Sequence, residues 1–170
     1  MTLSLYFSLK SPSVEPPIHY FEDNFVEVDS NLQELNADLQ LFALTIDTDE
    51  YEVSIRKTYD SVSGDDLFFT LEFSANQGLS KKFRLEIVVN KFYKHEELTY
   101  TDDLSKTQFS GYTLKYLESS QPMTGTPFVS VDSMGELQIG EQWIYIVRYE
   151  ETAFGQSTFI ETLQSLISIK

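Results

Sequence analysis

The sequence predicts an α+β fold: a predominantly antiparallel β-sheet of about six to eight strands, with a C-terminal amphipathic helix packed on it. Three observations predict it. Residues 51–92 alternate apolar and polar side chains with a period of two, as three consecutive half-buried strands do. Strand-like segments outnumber helix-like ones, and no strand–helix–strand alternation implies a parallel sheet. Phe159, Ile160, Leu163, Leu166 and Ile167 form an apolar stripe at helical spacing.

In chain order, Leu3, Leu5, Phe7 and Leu9 alternate as a first strand. Residues 11–17 hold Pro12, Pro16 and Pro17, which favour an extended surface connection. Residues 18–28 fit a strand or a helix equally well. Asp29, Ser30 and Asn31 resemble a helix start and predict a short helix over 32–38. Phe42, Leu44 and Ile46 alternate as another strand, and residues 47–50 turn the chain into the meander.

The meander sets Tyr51, Val53, Ile55 and Tyr59 on one face of its first strand, with Lys57 interrupting them. Leu67, Phe69, Leu71 and Phe73 do the same in the second strand, and Phe83, Leu85, Ile87 and Val89 in the third. Residues 60–66 and 76–78 supply the turns, through short polar side chains and glycine. The charge layout predicts cross-strand pairing of Glu72 and Glu86 with Arg56 and Arg84.

Beyond the meander, Tyr112, Leu114 and Tyr116 predict a strand, and residues 119–127 a flexible loop. Phe128, Val129 and Val131, then Asp132-Ser133-Met134-Gly135, then Leu137 and Ile139 predict a hairpin turning at 132–135. Residues 142–149 are apolar on both faces, the pattern of a central strand covered on both sides. Thr158 and Glu161 fit a capping box at the start of the last helix.

The 170 residues are expected to form a single domain spanning 1–170. There is no cysteine, which excludes disulfides, thiolate metal sites and cysteine nucleophiles. No apolar run approaches the roughly 18 residues of a membrane helix, and the N-terminal residues lack the charged region of a signal peptide. A cytoplasmic location is the expectation.

The net charge of −15 is unevenly spread. Residues 1–50 hold ten acids against Lys10 alone, whereas residues 51–100 hold eight acids and seven bases. Such a field repels nucleic acid and anionic lipid and attracts basic partners. No phosphate loop, dinucleotide fingerprint, zinc motif or nucleophile elbow occurs. His19 and His95 lie far apart, and the acidic turns at 47–50 and 60–66 fail the spacing of a calcium loop. No catalytic, metal or cofactor site is expected.

The short, acidic, sheet-rich format without catalytic motifs resembles that of small immunity proteins and secretion chaperones, although no motif is shared with either. The expected function is therefore a non-enzymatic, acidic protein-binding module, such as an immunity or inhibitor protein or a chaperone for a basic partner. Its expected partner-binding residues are Glu22, Asp23, Asp47, Asp49, Glu50, Asp65 and Asp66. One alternative is a structural subunit burying Tyr6, Tyr20 and Phe21 between chains, with homo-oligomerisation left open. Another is a small-ligand binder or enzyme with a pocket between sheet and helix.

Overall fold

The computed structural model describes residues 24–75, 82–93, 104–118, 131–149 and 156–170. The expected first strand, the Pro-rich connection, the 76–78 turn, the 119–127 loop, both histidines, and Glu22 and Asp23 lie outside the described residues.

Mostly antiparallel sheet forms the body. Eight strands run in the order β1 (Phe25–Asp29), β3 (Tyr51–Asp60), β4 (Asp66–Ala75), β5 (Lys82–Val88), β9 (Gln142–Tyr149), β8 (Val131–Ile139), β7 (Tyr112–Glu118) and β6 (Ser105–Phe109). Every pairing is antiparallel. A separate two-stranded ribbon joins β2 (Phe42–Leu44) to β10 (Ile167–Ile169). The helices are α1 (Leu32–Asp38) and the short C-terminal α2 (Gln156–Leu166).

Register explains the core. Phe69, Leu71 and Phe73 of β4 face the same side as Phe83, Leu85 and Ile87 of β5, and Ile144 and Ile146 of β9 continue the row. Leu137, Ile139, Leu114 and Phe109 extend it toward the far edge, and all of these residues are buried. Leu35 and Leu39, Phe42 and Leu44, and Leu163, Leu166 and Ile167 close the same cluster from the helices and the ribbon. Phe73 and Phe83 stack with centroids 4.2 Å apart, and Tyr51 meets both edge-on. A one-residue slip would turn this whole set outward, so the register is tightly specified.

β9 is an interior strand, fifth of eight, as its two apolar faces predict. Its inner face also carries Arg148, buried among apolar groups, which donates from Nη1 to Thr162 Oγ1 of α2 at 3.1 Å. On the outer face Trp143 stacks against Tyr145.

α1 spans the residues expected of it. Asn31 caps it by accepting the Glu34 backbone N–H at 3.0 Å. The Asn36 carboxamide bonds both backbone groups of Leu44, donating to its carbonyl at 3.0 Å and accepting its N–H at 2.8 Å.

Several local expectations are corrected. The 132–135 turn does not exist, because β8 runs straight through it with a register shift between Val131 and Ser133. The hairpin turns instead at Gly140-Glu141, where Gly140 takes φ +62°. α2 begins at Gln156, so Thr158 lies inside the helix and cannot be its cap. Ile167 belongs to β10 and not to the helix. Before Tyr112 lies β6, an element not expected from the sequence, joined to β7 by Ser110 and Gly111, both at positive φ as a tight two-residue hairpin requires.

Three of the meander's cations, Arg56, Lys57 and Arg84, pair with carboxylates of the fold. Arg56 pairs with Glu27 at 2.7 Å and with Glu72 at 3.1 Å, and Arg84 pairs with Glu86 along its own strand at 3.1 Å. Lys57 points to the inner face and reaches Glu34 of α1 at 2.5 Å and Asp66 at 3.3 Å. The residue that interrupts the apolar row thus ties β3 to α1.

Candidate functional site: an acidic cleft at one end of the sheet

Four chain segments converge at one end of the sheet and enclose a cleft of about 610 Å³. They are the exit of α1, the start of β4, the stretch after β5 and the β8–β9 turn. Each is shaped by local chemistry.

At the β3–β4 turn, Asp60 Oδ1 accepts the Val62 N–H at 2.7 Å, and the Gly64 N–H donates to the Asp60 carbonyl at 2.7 Å with φ +79°. That turn delivers Asp65 and Asp66. After β5, the N–H groups of Val89 and Asn90 both donate to the Leu67 carbonyl, at 2.9 and 3.2 Å. Asn90 Oδ1 then accepts the Phe92 N–H at 2.9 Å, which bends the chain and presents Phe92.

The α1 exit is held by two side chains from distant parts of the sequence. Gln142 Nε2 donates to the Asp38 carbonyl at 3.1 Å, and Lys170 Nζ donates to the Leu39 carbonyl at 3.0 Å. These are carbonyls that the end of a helix leaves without internal partners. Leu41 leans on Gly140, where an added Cβ would come within 2.6 Å of Leu41 Cδ1.

The lining is acidic. Asp38, Asp65, Asp66 and Glu141 contribute carboxylates, Lys91 lines the cleft with them, and Asp66 is also held by Lys57 at 3.3 Å. Lys91 approaches Glu141 only to 3.7 Å, with both side chains largely exposed, so the pair contributes little. Four large apolar side chains are exposed among the described residues, and two of them, Leu41 and Phe92, line this cleft.

The charges act on one another. Burial, and then the neighbouring charge of Asp66, hold the Asp38 carboxyl above its ordinary titration range. At the rim, the hydrogen bond with Glu34 is the main reason that Lys57 titrates above its usual range. The Lys57 hydrogen bond, followed by that of Ser30 Oγ at 2.7 Å, holds Glu34 below its own.

Of the residues expected from sequence, Asp65 and Asp66 line the cleft. Asp47, Asp49 and Glu50 are exposed on the β2–β3 connection and do not line it. There Asp47 Oδ1 accepts the Asp49 N–H at 2.9 Å, ordinary turn chemistry. Sequence reasoning missed Asp38, Glu141 and Gln142. The available signal was the Gly140-Glu141 dipeptide between two alternating runs, which marks a hairpin tip.

Among the described residues, no group of three or more acidic or histidine side chains is placed to hold a metal ion. No helix among them is long and apolar enough to cross a membrane. No family model matches the sequence, and no curated protein or solved structure matches it either.

Proposed function

We propose that this protein is a non-enzymatic, acidic binding module for a protein partner with a basic surface, of the immunity, inhibitor or chaperone kind. The observation that supports this reading is the distribution of exposed carboxylates. Arg56, Lys57 and Arg84 are engaged by carboxylates of the fold itself. Asp47 and Glu50 are exposed on the β2–β3 connection, and Asp65 and Glu141 are exposed at the cleft, so these places present carboxylates to solvent. Such a surface steers a basic partner toward encounter and rejects acidic ones.

The same reading takes residues 1–170 as one cytoplasmic domain, with α2 as the amphipathic cover of the sheet. Leu163 and Leu166 in the core, against exposed Glu161, Gln164 and Ser165, support that role for the helix.

Charge reversal tests the reading. Glu50→Lys and Asp65→Lys together, both at exposed positions, should weaken binding to a basic polypeptide such as poly-L-lysine. Affinity indifferent to the reversal would remove these residues from the interface.

A further inference from the structure

We propose that this chain associates head to tail with further copies of itself, the free edge of β1 in one copy pairing antiparallel with the free edge of β6 in the next. The interface lies at the two edges of the sheet and is independent of the binding-module reading.

Among the described residues no strand lies beyond β1 or β6, so these two end the eight-stranded sheet. Their own ladders decide which backbone groups face outward. The Ser30 N–H donates to the Ile55 carbonyl, and the Ser61 N–H to the Asn24 carbonyl, both at 2.9 Å. Hydrogen-bonded pairs alternate along an antiparallel ladder. Val26 and Val28 therefore bond to β3, while Glu27 and Asp29 turn their N–H and C=O groups outward. In β6 the two-residue turn closes on the pair Phe109–Tyr112, which leaves the backbone groups of Lys106 and Gln108 outward.

Asp29 and Lys106 are the two ends of one cross-strand row. It runs from Asp29 through Arg56, Thr70, Glu86, Tyr145, Glu136 and Lys115 to Lys106. Residues directly opposite one another share a face, so both ends project from the side of the sheet away from the core. Eight alternating strands also give β1 and β6 opposite directions. A second copy in the same orientation thus continues the sheet antiparallel, with the core face kept on one side and Asp29 opposite Lys106 of the next copy. In that register Val28, 38% exposed, faces Thr107.

Charge selects this pairing over the symmetric ones. Asp29 and Lys106 are both exposed, and opposite charges directly across a ladder stabilise it while like charges destabilise it. Pairing β1 with β1 would bring the Glu27 and Asp29 carboxylates of two copies together, and pairing β6 with β6 would give neither lysine an acid. A lysine on an edge strand is also a common guard against association, as are proline and bulges. Neither strand contains proline, and neither ladder shifts register. Lys106 guards its edge against another β6 and not against Asp29. A heterologous contact of this kind repeats, so it builds an open filament or a closed ring.

The test is sedimentation of the full chain over rising concentration at physiological ionic strength, where charges beyond about 8 Å are screened and the overall negative charge opposes contact least. The expected result is a mass that climbs past the dimer. Asp29→Lys and Lys106→Glu, each at an exposed position, should each weaken association about tenfold. The double variant Asp29→Lys/Lys106→Glu, which restores opposite charges at the contact, should recover it. Hydrogen exchange should show the Glu27, Asp29, Lys106 and Gln108 amides gaining protection as the mass rises.

A chain that stays monomeric throughout overturns the proposal. So does association that ignores the single reversals, that the double variant fails to restore, or that leaves those four amides unprotected. None of these outcomes bears on binding of poly-L-lysine, which tests the other reading separately.

Discussion

Gln142 Nε2 donates to the backbone carbonyl of Asp38 across 104 residues of sequence, and so joins the tip of the β8–β9 hairpin to the end of α1. One side chain thereby closes a helix terminus and positions two walls of the acidic cleft. Replacing it with leucine leaves the Asp38 carbonyl without that donor. Gln142→Leu should cost about 1–2 kcal/mol of stability, the usual range for removing one partner of a part-buried hydrogen bond. Chemical denaturation measures this, and an unchanged midpoint would show that the carbonyl finds another donor.

Asp38 gives a prediction with a definite sign. Burial and the charge of Asp66 raise its folded-state pKa, so its ionised form destabilises the fold. That penalty is fully present above the raised folded value and gone below the ordinary value of the unfolded chain. Asp38→Asn should therefore raise the melting temperature at neutral pH and have almost no effect near about pH 3. A gain that persisted undiminished in acid would mean that something other than the charge is responsible.

Lys57 gives the opposite dependence. Its hydrogen bond raises its own pKa and lowers that of Glu34. The carboxylate's share of the stability is present above the ordinary Glu value and lost as pH falls through the lowered one. The lysine's share is present below its ordinary value and lost only as pH rises through the raised one. Lys57→Met should be less stable than the parent chain at neutral pH, with the difference closing in acid as Glu34 protonates. Melting curves across that range decide it; a constant difference would indicate lost packing of the lysine stem.

Much of this fold was legible because its strands are half-buried. The alternation of Leu67, Phe69, Leu71 and Phe73 places β4 unambiguously, and the apolar pairs of Gln142–Tyr149 mark β9 as interior. β10 was hidden because Ile167 continues the stripe of α2, where a helical and a strand spacing coincide. The Asp132-Ser133-Met134-Gly135 stretch has turn composition, yet cross-strand pairing with β9 carries it through as a strand with an irregular register. β6 is polar and lies at the sheet edge, so only its Ser110-Gly111 turn signals it. The cleft was half visible. Asp65 and Asp66 stand out as a turn in the sequence, whereas Asp38, Glu141 and Gln142 meet them only once the sheet has formed.

Asn36 stabilises the ribbon behind the cleft. Its carboxamide takes the place of a neighbouring strand for the backbone of Leu44. Asn36→Ala should cost about 1–3 kcal/mol, because two part-buried backbone groups lose partners together. Hydrogen exchange at the Leu44 amide is the sharper readout, and unchanged protection there would refute the role.

Gly140 is constrained by both its conformation and its surroundings. With φ +62° and Leu41 Cδ1 within 2.6 Å of any added Cβ, Gly140→Ala forces strain and displaces Leu41 from the cleft wall. The left-handed conformation alone costs about 1–2 kcal/mol. A loss of stability of at least that size is expected in thermal unfolding, and a neutral substitution would mean that the hairpin tip rearranges freely.

The central claim is that the chain's exposed carboxylates recognise a basic partner. Its most direct measurement is the calorimetric affinity for poly-L-lysine as salt rises to about 1 M, where charges are screened beyond roughly 3 Å. The account predicts a steep, continuous loss of affinity across that range. Affinity that stays constant with salt, or no binding even at low salt, would contradict it.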